Sequence, residues 1–107
     1  MSLFNLKNKS ILITGSSRGI GKSIAEHCAL HGAKVIISSR KIDKCIETAD
    51  EINSKVDSEL AYPIECNISD DNQLKRLIDE SKKKIGPINV LICNCLLYTS
   101  DAADDMQ

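Results

Sequence analysis

An apolar run, Ile11-Leu12-Ile13, passes directly into Thr14-Gly15-Ser16-Ser17-Arg18-Gly19-Ile20-Gly21, which in turn opens an amphipathic segment from Lys22 to His31. A strand, a glycine-rich turn and a helix in that order place a phosphate at a helix N-terminus, where backbone N–H groups and the helix dipole both favour an anion. Gly15 permits a tight turn after the strand. Gly19 lets a pyrophosphate approach the backbone, and Gly21 lets the helix pack close to a sheet. The spacing is GxxxGxG, which differs from the commoner GxGxxG. A phosphate-binding P-loop is the competitor, because Gly21-Lys22-Ser23 matches its end. That motif requires its first glycine at position 16, which is Ser16, while Gly15 leaves five intervening residues instead of four. Lys22 therefore reads as a solvated helix residue.

The same alternation continues along the chain. Lys9 to Thr14 reads as a buried strand, and Ile20 to His31 as a helix with Ile20, Ile24 and Cys28 on one stripe. Gly32 supplies a left-handed stop. A second strand runs from Lys34 to Ser39, and a second helix from Lys41 to Lys55 with Ile42, Cys45, Ile46, Ala49 and Ile52 inward. A short third strand follows from Glu59 to Cys66. Ser69-Asp70-Asp71 caps a third helix whose Leu74, Leu77, Ile78 and Ile85 face inward. Gly86-Pro87 ends it, and Ile88 to Cys93 is a fourth strand. Strands apolar throughout, separated by helices, imply parallel βαβ units in a sheet covered on both faces. With right-handed crossovers the simplest strand order is 3-2-1-4, one half of a doubly wound sheet plus the first strand past its switch point.

Composition bounds the partners. The 107 residues are enough for one small domain, and 42% hydrophobic with 27% charged residues is ordinary for a globular chain. A net charge of −1 gives no basic footprint, so nucleic acid is not expected as a partner. No apolar run has the length of a membrane span, and no signal peptide is expected, which leaves no membrane role. Five cysteines at 28, 45, 66, 93 and 95 are an odd number without framework spacing, and point to reduced thiols in the cytoplasm. His27 and His31 have metal spacing, and Cys93-Asn94-Cys95 has a metal-like look, but both lack further ligands and read as structural.

Read with its threonine, the loop is TGxxxGxG, which resembles the cofactor motif of the short-chain dehydrogenase/reductase family, and the resemblance runs to about residue 94. It implies an α/β fold, the N-terminal portion of a Rossmann-type doubly wound parallel sheet (β1-α1-β2-α2-β3-α3-β4), left incomplete. Residues 1–94 are thus a partial NAD(P)-binding domain. Ser17 and Ile20 count with Gly15, Arg18, Gly19 and Gly21 as cofactor-binding, since they lie inside the motif. In this family the end of strand two chooses between the nicotinamide cofactors, and an acidic residue there suits NAD. Here Ser39 stands at that place with Arg40 beside it. A hydroxyl and a guanidinium hold a 2′-phosphate that a carboxylate would repel, and Arg18 is a second cation for it. The resemblance therefore implies NADP in preference to NAD, with a solvated Arg40 as the alternative. Asn67 stands where the family has an aspartate at the adenine ring, and Ile68 either packs on the adenine or joins the core.

Asn94 matches the second asparagine of the family's Asn-Asn-Ala-Gly stretch, but Cys95-Leu96 replaces its small pair. From that point Cys95-Leu96-Leu97-Tyr98-Thr99-Ser100-Asp101-Ala102-Ala103-Asp104-Asp105 resembles the in-frame translation of a transposon-end adapter used in preparing DNA libraries. Residues 95–107 are accordingly expected to be a non-native tail, to be excluded from fold reasoning. Tyr98 is not the family's catalytic tyrosine, because position 102 is Ala102 where a lysine is required.

What the resemblance implies is hydride transfer between NADP(H) and a small-molecule carbonyl or secondary alcohol, with a tyrosine as acid or base, a lysine lowering its pKa and a serine orienting the carbonyl. Those three residues lie beyond Asn94 on this reading, so the chain alone should be inactive. The intact protein is expected to be a homo-oligomer. Strands one and four are expected to leave open apolar edges that favour aggregation. Two other readings stand beside this one: a non-catalytic dinucleotide-binding module whose tail is genuine, and a P-loop phosphotransferase.

Overall fold

The computed structural model describes residues 5–93. Seven elements follow in strict alternation: β1 (Ser10–Thr14), α1 (Gly19–Leu30), β2 (Lys34–Ser39), α2 (Ile42–Val56), β3 (Ala61–Glu65), α3 (Asp71–Ile85) and β4 (Val90–Cys93). The four strands form one parallel sheet in the order β3-β2-β1-β4. That is the order expected from the alternation. Its edges are β3 and β4, and β1 is paired on both sides, so the expectation that β1 would be an open edge is corrected.

Side-chain alternation divides the core between two faces. Ile11, Ile13, Val35 and Ile37 meet Ala25 and Ala29 of α1 and Cys45, Ala49 and Ile52 of α2 on one face. Leu12, Ile36 and Ile64 meet Leu77 and Ile85 of α3 on the other. Successive strand residues point to opposite faces, so an unbroken apolar strand serves both layers. The chain moves outward from β1 to β3 and then back past β1 to β4. Right-handed crossovers put α1 and α2 on one side and α3 on the other when the direction reverses.

Helix α1 sits one position away from its expected stripe, whereas α3 turns Leu74, Leu77, Ile78 and Ile85 to the core as expected. In α1 the buried residues are Gly21, Ala25 and Ala29, while Ile20 is exposed and Ile24 and Cys28 lie at the border. Small residues face the sheet there because the helix lies close to it, and the larger side chains are displaced to the flanks. In α2 Cys45, Thr48, Ala49 and Ile52 are buried, whereas Ile42 and Ile46 are 40% and 45% exposed. The α3 cap is as expected: Asp70 Oδ1 accepts from the N–H groups of Asn72 (2.9 Å) and Gln73 (3.3 Å).

Polar ties fix the joints. Ser10 Oγ donates to the Ile85 carbonyl at 2.6 Å, and Ser10 and Asn89 exchange two bonds of 2.8 Å, which lock the end of α3 and the start of β4 to β1. Gly32 has φ +99°, and a Cβ there would stand 3.3 Å from the Lys7 backbone, so both conformation and space require glycine.

Candidate functional site

Thr14 of β1 lies level with Ser38 of β2 on one side and Cys93 of β4 on the other. The carboxyl ends of the strands therefore form a common rim, and the reversal of direction opens it between β1 and β4. This is where open α/β sheets bind ligands. The turn from Gly15 to Arg18 leaves β1 at that point and feeds α1.

Gly15 has φ +65° and Gly19 φ +63°, a left-handed backbone at both ends of the turn. A Cβ on Gly19 would meet nothing within 4 Å, so the backbone there fronts open space. Gly21 is buried against the sheet. Arg18 is the N-cap in an extended conformation, its side chain makes no capping bond, and the first turn of α1 holds no acidic residue. The N–H groups of that turn have no acceptor inside their own helix. The contrast is α3, whose first turn carries Asp70 and Asp71. An uncapped helix start behind two left-handed glycines, with Gly19 fronting open space, fits a phosphate group.

Two side chains that the motif reading left out hold this turn. Ser16 is fully buried: its Oγ donates to the Ile13 carbonyl at 2.7 Å and accepts from Ser38 N–H at 2.8 Å, while its own N–H donates to Ser38 O at 3.0 Å. Thr48 of α2 donates from Oγ1 to the Ser17 carbonyl at 3.0 Å. The signal for Thr48 was present, a polar residue inside the apolar stripe of an amphipathic helix. Ser16 carried none, because its partners come from a different strand. Ser38 Oγ is buried without a hydrogen-bond partner among the described residues.

Lys22 is turned away from the loop. Its Nζ reaches Glu51 of α2 at 2.8 Å, and that bond raises the Lys22 pKa and lowers that of Glu51. A P-loop lysine would point at the phosphates instead.

At the end of β2, Ser39 is half-buried and its hydroxyl is engaged within the turn, 3.3 Å from Lys41 N–H and 3.2 Å from Cys45 Sγ. Burial pushes the Cys45 thiol up, against the opposing effect of its bonds to Ser39. Arg40 is exposed, as is Arg18. At the end of β3, Cys66 N–H donates to Ser39 O at 2.8 Å, so the two strand ends stay side by side. Asn67 Oδ1 accepts from Ser69 N–H at 3.0 Å, and Asn67 N–H donates to Gln73 Oε1 at 2.9 Å, a local turn that launches α3. Ile68 packs against the core beneath α3. Asn94 lies outside the described residues, as do Cys95, Tyr98 and the rest of the tail.

The histidine pair is occupied locally: His27 and His31 each donate from Nδ1 to the carbonyl four residues earlier, at 2.8 Å. Among the described residues no three His, Cys, Asp or Glu side chains gather as a metal site. No helix among them is long and apolar enough to cross a membrane. A shallow concavity lined by Asp50, Asn53, Asp57 and Glu59 lies at the far end of α2, by the amino end of β3 and away from the glycine turn.

Comparison with known proteins places this geometry in context. The family described as short chain dehydrogenase matches residues 9–107. The glucose 1-dehydrogenase of Gluconobacter oxydans is 35% identical over 100 residues, 92% of this chain and 37% of that protein. The short-chain dehydrogenase/reductase SDRA of Arabidopsis thaliana is 36% identical over 90 residues, 83% of this chain and 34% of its own length. The chain thus spans little more than a third of these relatives. Among solved structures, a short-chain type dehydrogenase/reductase from Mycobacterium marinum superposes with a TM-score of 0.84 at 36% identity, covering 100% of this chain and 44% of that one. A 3-ketoacyl-(acyl-carrier-protein) reductase from Brucella melitensis, complexed with NADH, superposes with a TM-score of 0.74 at 29% identity over 81% of this chain and 34% of that one.

Proposed function

The chain belongs to the short-chain dehydrogenase/reductase family, and from that premise we propose that it is the nucleotide-binding part of an NADP(H)-dependent oxidoreductase acting on a carbonyl or secondary alcohol. The observation that carries this reading is the turn from Gly15 to Gly19, left-handed at both glycines, on an uncapped helix start at the sheet's carboxyl rim. Gly15, Ser17, Gly19, Ile20 and Gly21 surround the pyrophosphate. Arg40 and Arg18, exposed on that rim, supply charge-assisted bonds to a 2′-phosphate. The Ser39 hydroxyl, held by its own turn, contributes less than the arginines. Asn67 acts by shaping the adenine side through its turn, and Asn94 lines the nicotinamide side.

Bound NADP(H) supplies the hydride chemistry. This chain's residues bind and orient it, and the serine, tyrosine and lysine that act on substrate belong to sequence beyond Asn94. On this reading the 107 residues alone are inactive, and residues 95–107 are a non-native tail. The family match itself extends to Gln107, so the tail reading rests on its residues alone. We place the intact protein in the reducing cytoplasm as a homo-oligomer; the four described cysteines are all free thiols.

Two measurements test the proposal. Titration of the chain with NADPH and with ATP should show NADPH binding that survives Lys22→Ala; ATP binding lost in that variant would instead support a phosphotransferase. Re-sequencing the source DNA through codon 94 without a transposon adapter should reveal a frame continuing to a Tyr-x-x-x-Lys motif. A genomic Cys95–Gln107 would instead favour a non-catalytic binding module.

A further inference from the structure

We propose that Thr48 is a positioning residue for the phosphate-binding turn, acting through the Ser17 carbonyl; the inference rests on the nucleotide-binding reading above. A threonine inside a helix ordinarily returns its hydroxyl to a carbonyl of its own preceding turn. Thr48 does not. Its side chain is 2% exposed, and Oγ1 donates to Ser17 O at 3.0 Å, 31 residues away in sequence. The rest of that buried face is Cys45, Ala49 and Ile52, where valine would pack in the same shape without a hydroxyl to satisfy. The hydroxyl therefore serves the turn.

Ser17 is the middle of the segment between the two left-handed glycines: Ser16 before it is pinned to β1 and β2, and Thr48 is what ties the Ser17 carbonyl. Because the peptide is planar and trans, a carbonyl held toward α2 turns the Arg18 N–H away from α2. Arg18 is the N-cap of α1, so this one bond orients the entrance to the phosphate cradle. One helical turn earlier on the same face, Cys45 Sγ lies 3.2 Å from Ser39 Oγ. The buried face of α2 thus braces both the glycine turn and the Ser39–Lys41 turn that precedes it.

Two ligands separate a positioning role from a general loss of structure. Adenosine diphosphate carries the pyrophosphate and no 2′-phosphate, while adenosine 2′-monophosphate carries the reverse. Thr48→Val should weaken adenosine diphosphate and NADPH by about tenfold, the effect of one lost hydrogen bond. Adenosine 2′-monophosphate should be unchanged, and Thr48→Ser, which keeps the hydroxyl, should restore the affinity for adenosine diphosphate. If Thr48→Val does not fold, Thr48→Cys, with a weaker donor of similar size, is read in the same way. Undiminished binding of adenosine diphosphate in the variant, or equal loss of both ligands, overturns the role of Thr48 alone. A wild-type chain that binds neither ligand overturns the nucleotide-binding reading, and the role of Thr48 with it.

Discussion

Ser16 shows how one small side chain can fix a functional turn. Its hydroxyl accepts from the Ser38 N–H and donates to the Ile13 carbonyl in a fully buried position, so it joins the ends of β1 and β2 as the chain leaves the sheet. Ser16→Ala removes the acceptor from a buried N–H, and such a loss costs about 1–3 kcal/mol. Urea unfolding should show the midpoint falling with an unchanged slope; an unchanged midpoint would mean that the bond is dispensable. The three glycines of the turn were legible because their spacing is itself the chemistry. The partners of Ser16 and Thr48 were not, since they lie 22 and 31 residues distant, although Thr48 stood out as a polar residue in an apolar stripe. Asn67 differs again: its side chain is spent on a local turn, a competing use that residue type alone does not reveal.

At the scale of elements, the alternation of strands and helices and the order of the sheet follow from continuous apolar runs and from the hand of the crossovers. The facing of the helices does not follow so simply. In α1 the largest apolar residues suggested the stripe Ile20, Ile24 and Cys28, but close packing selected Gly21, Ala25 and Ala29. Beyond that contact, α1 and α2 are joined at their exposed flanks by Lys22–Glu51 and Lys55–Glu26. Lys22 holds the Glu51 carboxyl below its ordinary pKa. A lowered folded-state pKa contributes stability above the unfolded value and loses it as pH falls through the folded one. Glu51→Gln should therefore melt slightly lower than wild type near neutral pH, with the difference closing below about pH 4 and in molar salt. The raised Lys22 pKa carries the opposite sign, so its share persists up to the lysine range and is lost only as pH rises through it. A difference independent of both pH and salt would show that Glu51 acts by packing alone.

For the molecule as a whole, the described sheet has two edges, and β4 is more exposed than β3. β1 and β2 are buried along most of their length, whereas Val90 and Leu91 of β4 are 42% and 54% exposed on an edge strand. Apolar edges recruit other chains, and a single lysine on such an edge suppresses pairing. Leu91→Lys should lower light scattering on concentration without lowering the melting temperature; unchanged self-association would place the liability elsewhere. The β4 edge pairs with β1, the strand that leads into the glycine turn, and the relatives matched are nearly three times as long as this chain. We propose that this rim takes a dinucleotide bearing a 2′-phosphate, with Arg40 as its main cation. Calorimetric titration of wild type and Arg40→Ala with NADPH and NADH tests it most directly. We expect wild type to prefer NADPH by at least about tenfold, as one charge-assisted contact allows, and Arg40→Ala to lose most of that preference while binding NADH unchanged. Equal or tighter binding of NADH by wild type, or a preference untouched by the substitution, would show that Arg40 does not select the cofactor.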